Sequence, residues 1–355
     1  MENQLTIFLL LHPRLVRTLG MQAPESALAM TAGTGYQMVY AVRRVSAAGR
    51  NSEASMPDTS GESSHMDIVI IGNPAAGRGR TYGKIREFRR TLERRGHVVE
   101  TFLTERRGDA GKRASLAGHG IDRLVVAGGD GTVNEVLNGL SDPSQIPLFH
   151  LPTGTANMLA RDLGLPGDTD SLADVLENGI VRKLDMGLID AHRFLLVVSS
   201  GFDAAVTEEI RTHRGKRLGY RGYVEPVLRV LSRFRSAELE VIVDERQRIA
   251  GRHVMVLNVR HYGGIFVFWK NARPDSGVFD ICVFHKESRV SLVRYGLAGF
   301  LRLVHKLPDV THITGRRVRI SSRESSPVQV DGDYFGETPR TIDLCPSVVP
   351  VIVPR

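Results

Sequence analysis

The chain has 355 residues, with 47 Lys+Arg against 39 Asp+Glu for a formal net charge of +8, and 42% of it is hydrophobic. That length predicts two domains, and the composition excludes collagen-like, disulfide-stapled and wholly disordered chains. Two cysteines, Cys282 and Cys345, lie far apart in no C-x-x-C spacing, so neither a zinc knuckle nor a disulfide framework is expected and a reducing compartment fits. The apolar run Leu5 to Leu11 is seven residues behind an acidic Glu2. A spanning helix needs about twenty apolar residues, and a secretory leader needs a basic start, so neither is expected.

Residues 1–65 hold five arginines against five acids, which puts the whole positive excess in 66–355. Mild basicity serves solubility, or attraction to phosphate-bearing partners. Asn51 to Ser64 has five serines and little to bury, which predicts a disordered linker. Residues 1–65 are therefore expected to be a poorly ordered extension, with Met66 as the working start of the folded part.

Regular patterning begins at Met66. Asp67 to Ile71 is a continuous apolar run of the buried-parallel-strand kind, and Ile85, Phe88 and Leu92 recur at helical spacing. Val98 to Leu103 predicts a second strand, with Asp109 capping a short helix after it. Leu124 to Ala127 predicts a third strand running into Gly128-Gly129, and Val133, Val136, Leu137 and Leu140 mark one helix face. Pro147 to Leu151 predicts a fourth strand, with a helix through Leu159. This alternation predicts an α/β domain with an open parallel sheet. After Asp185 the texture changes. Strands are expected at Leu195–Ser199, Leu239–Asp244, His253–Val259, Val278–His285, Val318–Ser321 and Val328–Val330, giving a mainly β, sandwich-like second half.

Three glycine-rich turns follow strands in the first half. Gly72-Asn73-Pro74-Ala75-Ala76-Gly77-Arg78-Gly79 lacks the Lys-Ser/Thr of a P-loop and misses the G-x-G-x-x-G spacing. Gly128-Gly129-Asp130-Gly131-Thr132, followed by Asn134 and Glu135, lets backbone N–H groups approach a phosphate chain at a helix start. Its embedded acid makes sense near a divalent cation or a reacting proton. Pro152-Thr153-Gly154-Thr155-Ala156-Asn157 is the third turn. Any one alone is a tight bend; three at successive strand ends predict a nucleotide cleft at the carboxyl edge of the sheet.

Together these turns resemble the diacylglycerol kinase catalytic family, which includes sphingosine kinases and bacterial lipid kinases. Ser200-Gly201-Phe202-Asp203-Ala204, Tyr262-Gly263-Gly264, Pro274-Asp275-Ser276-Gly277 and Val330-Asp331-Gly332-Asp333 match in order downstream, so the resemblance covers about 66–355. It implies an ATP-binding α/β domain over 66–189 with 338–355, and a β-sandwich lipid-binding domain over 190–337. It implies ATP on Asn73, Pro74, Ala75, Ala76, Gly77, Thr104, Gly129, Asp130, Gly131, Thr132, Val133, Asn134, Glu135 and Thr155. It also implies Mg²⁺, and a lipid hydroxyl as acceptor at a membrane surface, by a cytoplasmic protein that associates peripherally.

The reaction type needs a carboxylate near the acceptor oxygen. Asp130, Asp331 and Asp333 are the candidates. Asp130 is expected to manage Mg²⁺·ATP, while strand alternation would put Asp331 and Asp333 on one side as the catalytic pair. The resemblance implies Asp333 as proton acceptor, although the family usually has Glu there. It also implies a structural Mg²⁺ at Arg273, Ser276 and Val278, where a hydroxyl replaces the family's carboxylate and removes a charged ligand. Met158 stands where many relatives have Asp.

From Arg211 to Arg235 eight Lys/Arg face one acid, Glu225, and Val290 to Leu307 mixes leucines with Arg294, Arg302, His305 and Lys306. Each is either the solvated face of a packed helix or a surface for anionic lipid headgroups. No stacking platform or recognition helix points to nucleic acid. The alternatives are an NAD kinase-like enzyme acting on a soluble substrate, and a non-catalytic lipid- or nucleic-acid-binding relative. Diacylglycerol or a related lipid is the expected acceptor, and a homodimer is compatible with the sequence.

Overall fold

A computed structural model describes residues 65–118, 120–212 and 220–355. The 1–65 extension lies outside these residues except for its last one. Four strands, β1 (Asp67–Gly72), β2 (Val98–Leu103), β3 (Arg123–Gly128) and β4 (Leu148–Pro152), pair in parallel in the order β2-β1-β3-β4. Helices α1 (Thr81–Arg94), α2 (Asp109–Ala114), α3 (Asp130–Gly139), α4 (Met158–Asp162) and α5 (Thr169–Asn178) occupy the intervening chain. The apolar runs are explained by burial on both sheet faces. Val69 and Ile71 pack with Val133, Val136 and Leu137 of α3, whereas Ile68 and Ile70 pack with Ile85, Phe88 and Leu92 of α1 and Leu172 of α5. The carboxyl ends of β1, β3 and β4 therefore open side by side, each into one of the glycine-rich turns.

The chain continues through β5 (Ile180–Ile189), β6 (His192–Phe194), β7 (Val197–Ser200), α6 (Phe202–Thr212) and α7 (Tyr220–Arg233). Next come β8 (Leu239–Val243), β9 (Gln247–Gly251), β10 (His253–Leu257), and the short hairpin of β11 (His261–Tyr262) and β12 (Phe266–Val267). Then β13 (Phe279–Phe284), α8 (Arg289–Phe300), β14 (Val310–Gly315), β15 (Arg317–Ser322), β16 (Pro327–Val330), β17 (Asp333–Glu337) and β18 (Arg340–Val353) complete it. One layer of the second half is the six-stranded sheet β14-β13-β10-β7-β16-β17. Its inner residues, among them Val198, Val254, Val256, Ile281 and Val328, meet Val241, Val243, Val318, Ile320 and Ile342 of the facing sheet. The expected sandwich is present.

The facing sheet is not separate from the first domain. β18 runs through both: Ile342 pairs with Val318 of β15, while Val351 pairs in parallel with Leu148 of β4. β5 follows it antiparallel, from Ile189 opposite Ile342 to Ile180 opposite Val353. The segment 338–355, expected wholly in the first domain, is thus divided along its length. A register shift between Cys345 and Val349 marks the division. There Ser347 takes φ +53° and donates its N–H to Asp185 Oδ1 at 2.8 Å, and the fully buried Asp185 accepts Gly277 N–H through Oδ2 at 2.6 Å. Cys282 is buried and both cysteines are free. Among the described residues, no helix is long and apolar enough to cross a membrane.

Candidate active site

The three turns merge into one backbone surface. Asn73 donates its N–H to Ala127 O at 2.8 Å, and its Oδ1 accepts Ala75 N–H at 3.0 Å. Gly77 has φ +59°, and a Cβ there would lie 2.1 Å from Thr153 O. A Cβ on Gly154 would lie 2.5 Å from Gly129 Cα. Such contacts require glycine, because the backbones themselves touch. Gly129 is the N-cap of α3, whose first N–H groups have no partner inside the helix and face the same surface.

Asp130 has a structural duty that the sequence did not suggest. Its Oδ2 accepts Met158 N–H at 2.9 Å and its Oδ1 accepts Leu159 N–H at 3.2 Å, so it caps α4 and ties the second turn to the third. Asn157, with φ +47°, closes the third turn by accepting Gly154 N–H at 2.9 Å. Thr155 is exposed at the tip of this turn, whereas Thr132 and Val133 are buried. Thr104 is also buried, with its N–H on Gly72 O at 2.8 Å, and Glu135 Oε2 accepts Gly108 N–H at 3.1 Å. These two residues hold the loop 104–108 against the turns. Asp109, expected as a cap, instead reaches back to Glu105 and Arg106 N–H, and Gly108 at φ +89° is the N-cap of α2.

Two groups behind the turns were missed because each is a lone residue in the sequence. His150, fully enclosed on β4, lies 3.2 Å from Gly128 O, and burial lowers its pKa. Lys84 donates to Pro152 O at 3.3 Å and Gly167 O at 3.0 Å, with its pKa lowered chiefly by burial.

The sandwich brings the carboxylates. Asp331 and Gly332 have φ +49° and +88° and form the turn of the β16–β17 hairpin, with Val330 opposite Asp333. Strand alternation therefore stops at Asp331, and the two acids face different partners. Asp331 Oδ1 accepts Leu196 N–H at 3.1 Å and Val197 N–H at 2.9 Å. Its Oδ2 accepts Asn134 Nδ2 at 3.0 Å and Leu195 N–H at 3.3 Å. Burial pushes its carboxyl up to about 6 against the pull of these donors. Asp331 thus joins α3 to the sandwich. Asp333 instead faces the loop after β2, where Arg107 donates to its Oδ2 at 2.8 Å. A further half-buried acid, Asp203, takes hydrogen bonds from Ser199 and Tyr262, and desolvation raises its pKa. The Gln329 amide continues this network, donating to Ser199 Oγ at 2.9 Å and accepting Gly332 N–H at 2.8 Å. A small cleft lined by Asp130, Val133, Asn134, Leu159, Leu195, Leu196 and Asp331 lies where the two halves meet.

The same division appears in comparisons with known proteins. Residues 67–189 match the model of the diacylglycerol kinase catalytic domain, and 196–353 match the YegS C-terminal NAD kinase beta sandwich-like domain. The chain carries a diacylglycerol kinase catalytic domain. It is 29% identical to a diacylglycerol kinase of Bacillus subtilis over 81% of its own length and 96% of the relative's. A diacylglycerol kinase of Mycobacterium tuberculosis is 28% identical over 81% of this chain and 95% of its own. A crystal structure of a diacylglycerol kinase from Bacillus anthracis superposes with a TM-score of 0.67 at 26% identity, covering 81% of this chain and 97% of that one. With that catalytic domain, the chain is a kinase.

One feature implied by that family does not fit. Arg273, Ser276 and Val278 do meet in one turn, but Ser276 Oγ donates to Val278 O at 2.8 Å. Asp275 faces Arg182 and Arg273, each at 3.7 Å, and Arg316 Nε donates to Gly277 O at 3.0 Å. A hard divalent cation needs several free oxygen ligands. Here the hydroxyl and carbonyl satisfy each other and cationic side chains surround the turn, so these residues do not suit Mg²⁺.

Proposed function

We propose that the protein transfers the γ-phosphoryl group of Mg²⁺·ATP to the hydroxyl of a membrane lipid, with diacylglycerol as the acceptor. The glycine surface and the start of α3 receive the nucleotide phosphates, the metal arriving with the nucleotide. The acceptor oxygen attacks the γ-phosphorus, the bond from that phosphorus to the β–γ bridging oxygen breaks, ADP leaves, and the hydroxyl proton passes to Asp333. The observation that carries this reading is the 2.8 Å pair of Asp333 with Arg107. It sets a carboxylate from the sandwich against a cation from the loop after β2, on the nucleotide side. Arg107 orients the carboxylate and can turn to phosphate oxygens when they arrive. Asp331 is a positioning residue, since four N–H donors already occupy its oxygens. The ATP role of the three turns, the division into nucleotide and lipid domains and a peripheral membrane location belong to the same proposal. Incubation with labelled ATP and mixed micelles of diacylglycerol, with NAD as a soluble control acceptor, tests it. Labelled phosphatidic acid is expected. Labelled NADP, or binding without turnover, would overturn it.

A further inference from the structure

α8 has two apolar faces. One packs Leu292, Tyr295 and Ala298 into a core with Phe284 and Val304. The opposite face carries Val290, Val293, Leu297 and Phe300, exposed by 80, 57, 55 and 54%, at intervals that keep them on one stripe. Leu301 and Leu303 extend it just beyond the helix, 51 and 37% exposed. Gly299 packs against the segment that follows the β11–β12 hairpin, since a Cβ there would lie 3.3 Å from the Phe268 ring. The tip of this hairpin adds Ile265, 45% exposed. An apolar outer stripe on a surface helix departs from ordinary amphipathic packing and marks an interaction surface.

Charge selects the occupant. Residues 288–308 contain Arg289, Arg294, Arg302 and Lys306 and no Asp or Glu. Arg294 turns in to Asp309, while Arg289, Arg302 and Lys306 remain exposed around the apolar stripe. A second copy on a two-fold axis would bring this basic rim against itself. An anionic bilayer complements both the stripe and the rim. The basic stretch of 211–235 is a weaker match, because Arg229 and Arg233 are both paired with the buried Glu209. The hairpin also touches helices of both halves: Tyr262 OH donates to Asp203 of α6, and Gly263 N–H to Met158 Sδ of α4 at 3.1 Å.

We propose that α8 and the β11–β12 hairpin tip form the membrane-docking face, lying in the interfacial layer of an anionic bilayer with Arg289, Arg302 and Lys306 on its headgroups. This rests on the reading of the protein as a lipid kinase and names the surface from which that kinase works.

Sedimentation of the full-length protein with phosphatidylcholine vesicles, with and without one-third phosphatidylglycerol, tests it. Binding to the anionic vesicles is expected, with at least about a tenfold loss of affinity in a Val293→Glu/Leu297→Glu variant and a similar loss in Arg302→Gln/Lys306→Gln. Both variants change exposed side chains, so the thermal midpoint and turnover of a monomeric short-chain diacylglycerol should stay at wild-type values. Absence of vesicle binding by the wild type, or unchanged binding in the glutamate variant, would overturn the proposal. So would a wild-type dimer that the glutamate variant splits, which would assign the face to a second copy. Protection of α8 by residues 1–65 in lipid-free hydrogen exchange would assign it to the extension. Vesicle binding without phosphorylation of any lipid would overturn the kinase reading and leave the docking face standing.

Discussion

The two sides of the cleft are built from different materials. The nucleotide side presents backbone: glycines that touch across turns, amides at a helix start, and an acid, Asp130, whose oxygens are taken by two N–H groups. The sandwich side presents side chains on a hairpin, with Asp331 turned inward and Asp333 turned towards Arg107. Backbone can approach a phosphate chain closely and holds its dipoles fixed, whereas proton transfer needs a titratable group. Under the proposed function, this difference gives binding to one side and chemistry to the other.

Separate damage to each side sharpens that division. The largest effect is expected from Asp333→Asn, which should cut turnover by about 10²-fold or more while nucleotide affinity stays within about twofold. Kinetics alongside calorimetric ATP titration would show it, and full activity would return the base assignment to Asp331 or Asp130. Gly154→Ala should do the reverse first, weakening ATP binding by about tenfold or more, because its Cβ has 2.5 Å to the Gly129 backbone. Gly129→Ala, at 3.2 Å from Gly154 Cα, should be milder. Equal affinities in both variants and the wild type would break the backbone-cradle account.

Asp331→Ala removes the acceptor of four donors, so a loss of about 2–4 kcal/mol in urea unfolding is expected. A smaller effect belongs to His253. Burial leads in pushing its imidazole down to about 4, with Arg252 adding to it. The unfolded chain then binds the proton first as pH falls, so stability present above about 6.5 is lost towards 4. The loss should reach about 2 kcal/mol by pH 5. Asp331, raised to about 6, acts in the opposite direction, gaining stability as pH drops through that value. The contribution of His253 is therefore read as the difference between wild type and His253→Gln over that range.

Local chemistry was legible in the sequence. The three turns, the four parallel strands and the β texture after Asp185 follow from glycine placement and apolar periodicity, and each recurs in the fold. The long strands β5 and β18 were not legible. Pro346 and Pro350 fall inside β18 and read as breaks, although the register shift after Cys345 accommodates the first of them. The pairing of the two acids was misread for a visible reason: Asp-Gly is the signature of a two-residue hairpin turn, where alternation ends. The contact of Arg107 with Asp333 joins residues 226 apart, and no local pattern announces it.

The ladder of β5 with β18 crosses from one half to the other without a loop between them. The two halves are therefore coupled like the ends of a torsion bar, and any narrowing of the cleft has to be taken up as twist along paired strands rather than as a swing about a slack tether. The compliant point is the interruption between Cys345 and Val349, where the ladder loses register and Asp185 supplies the missing acceptor. Resistance to that twist is then concentrated in the few hydrogen bonds that Asp185 accepts at the interruption.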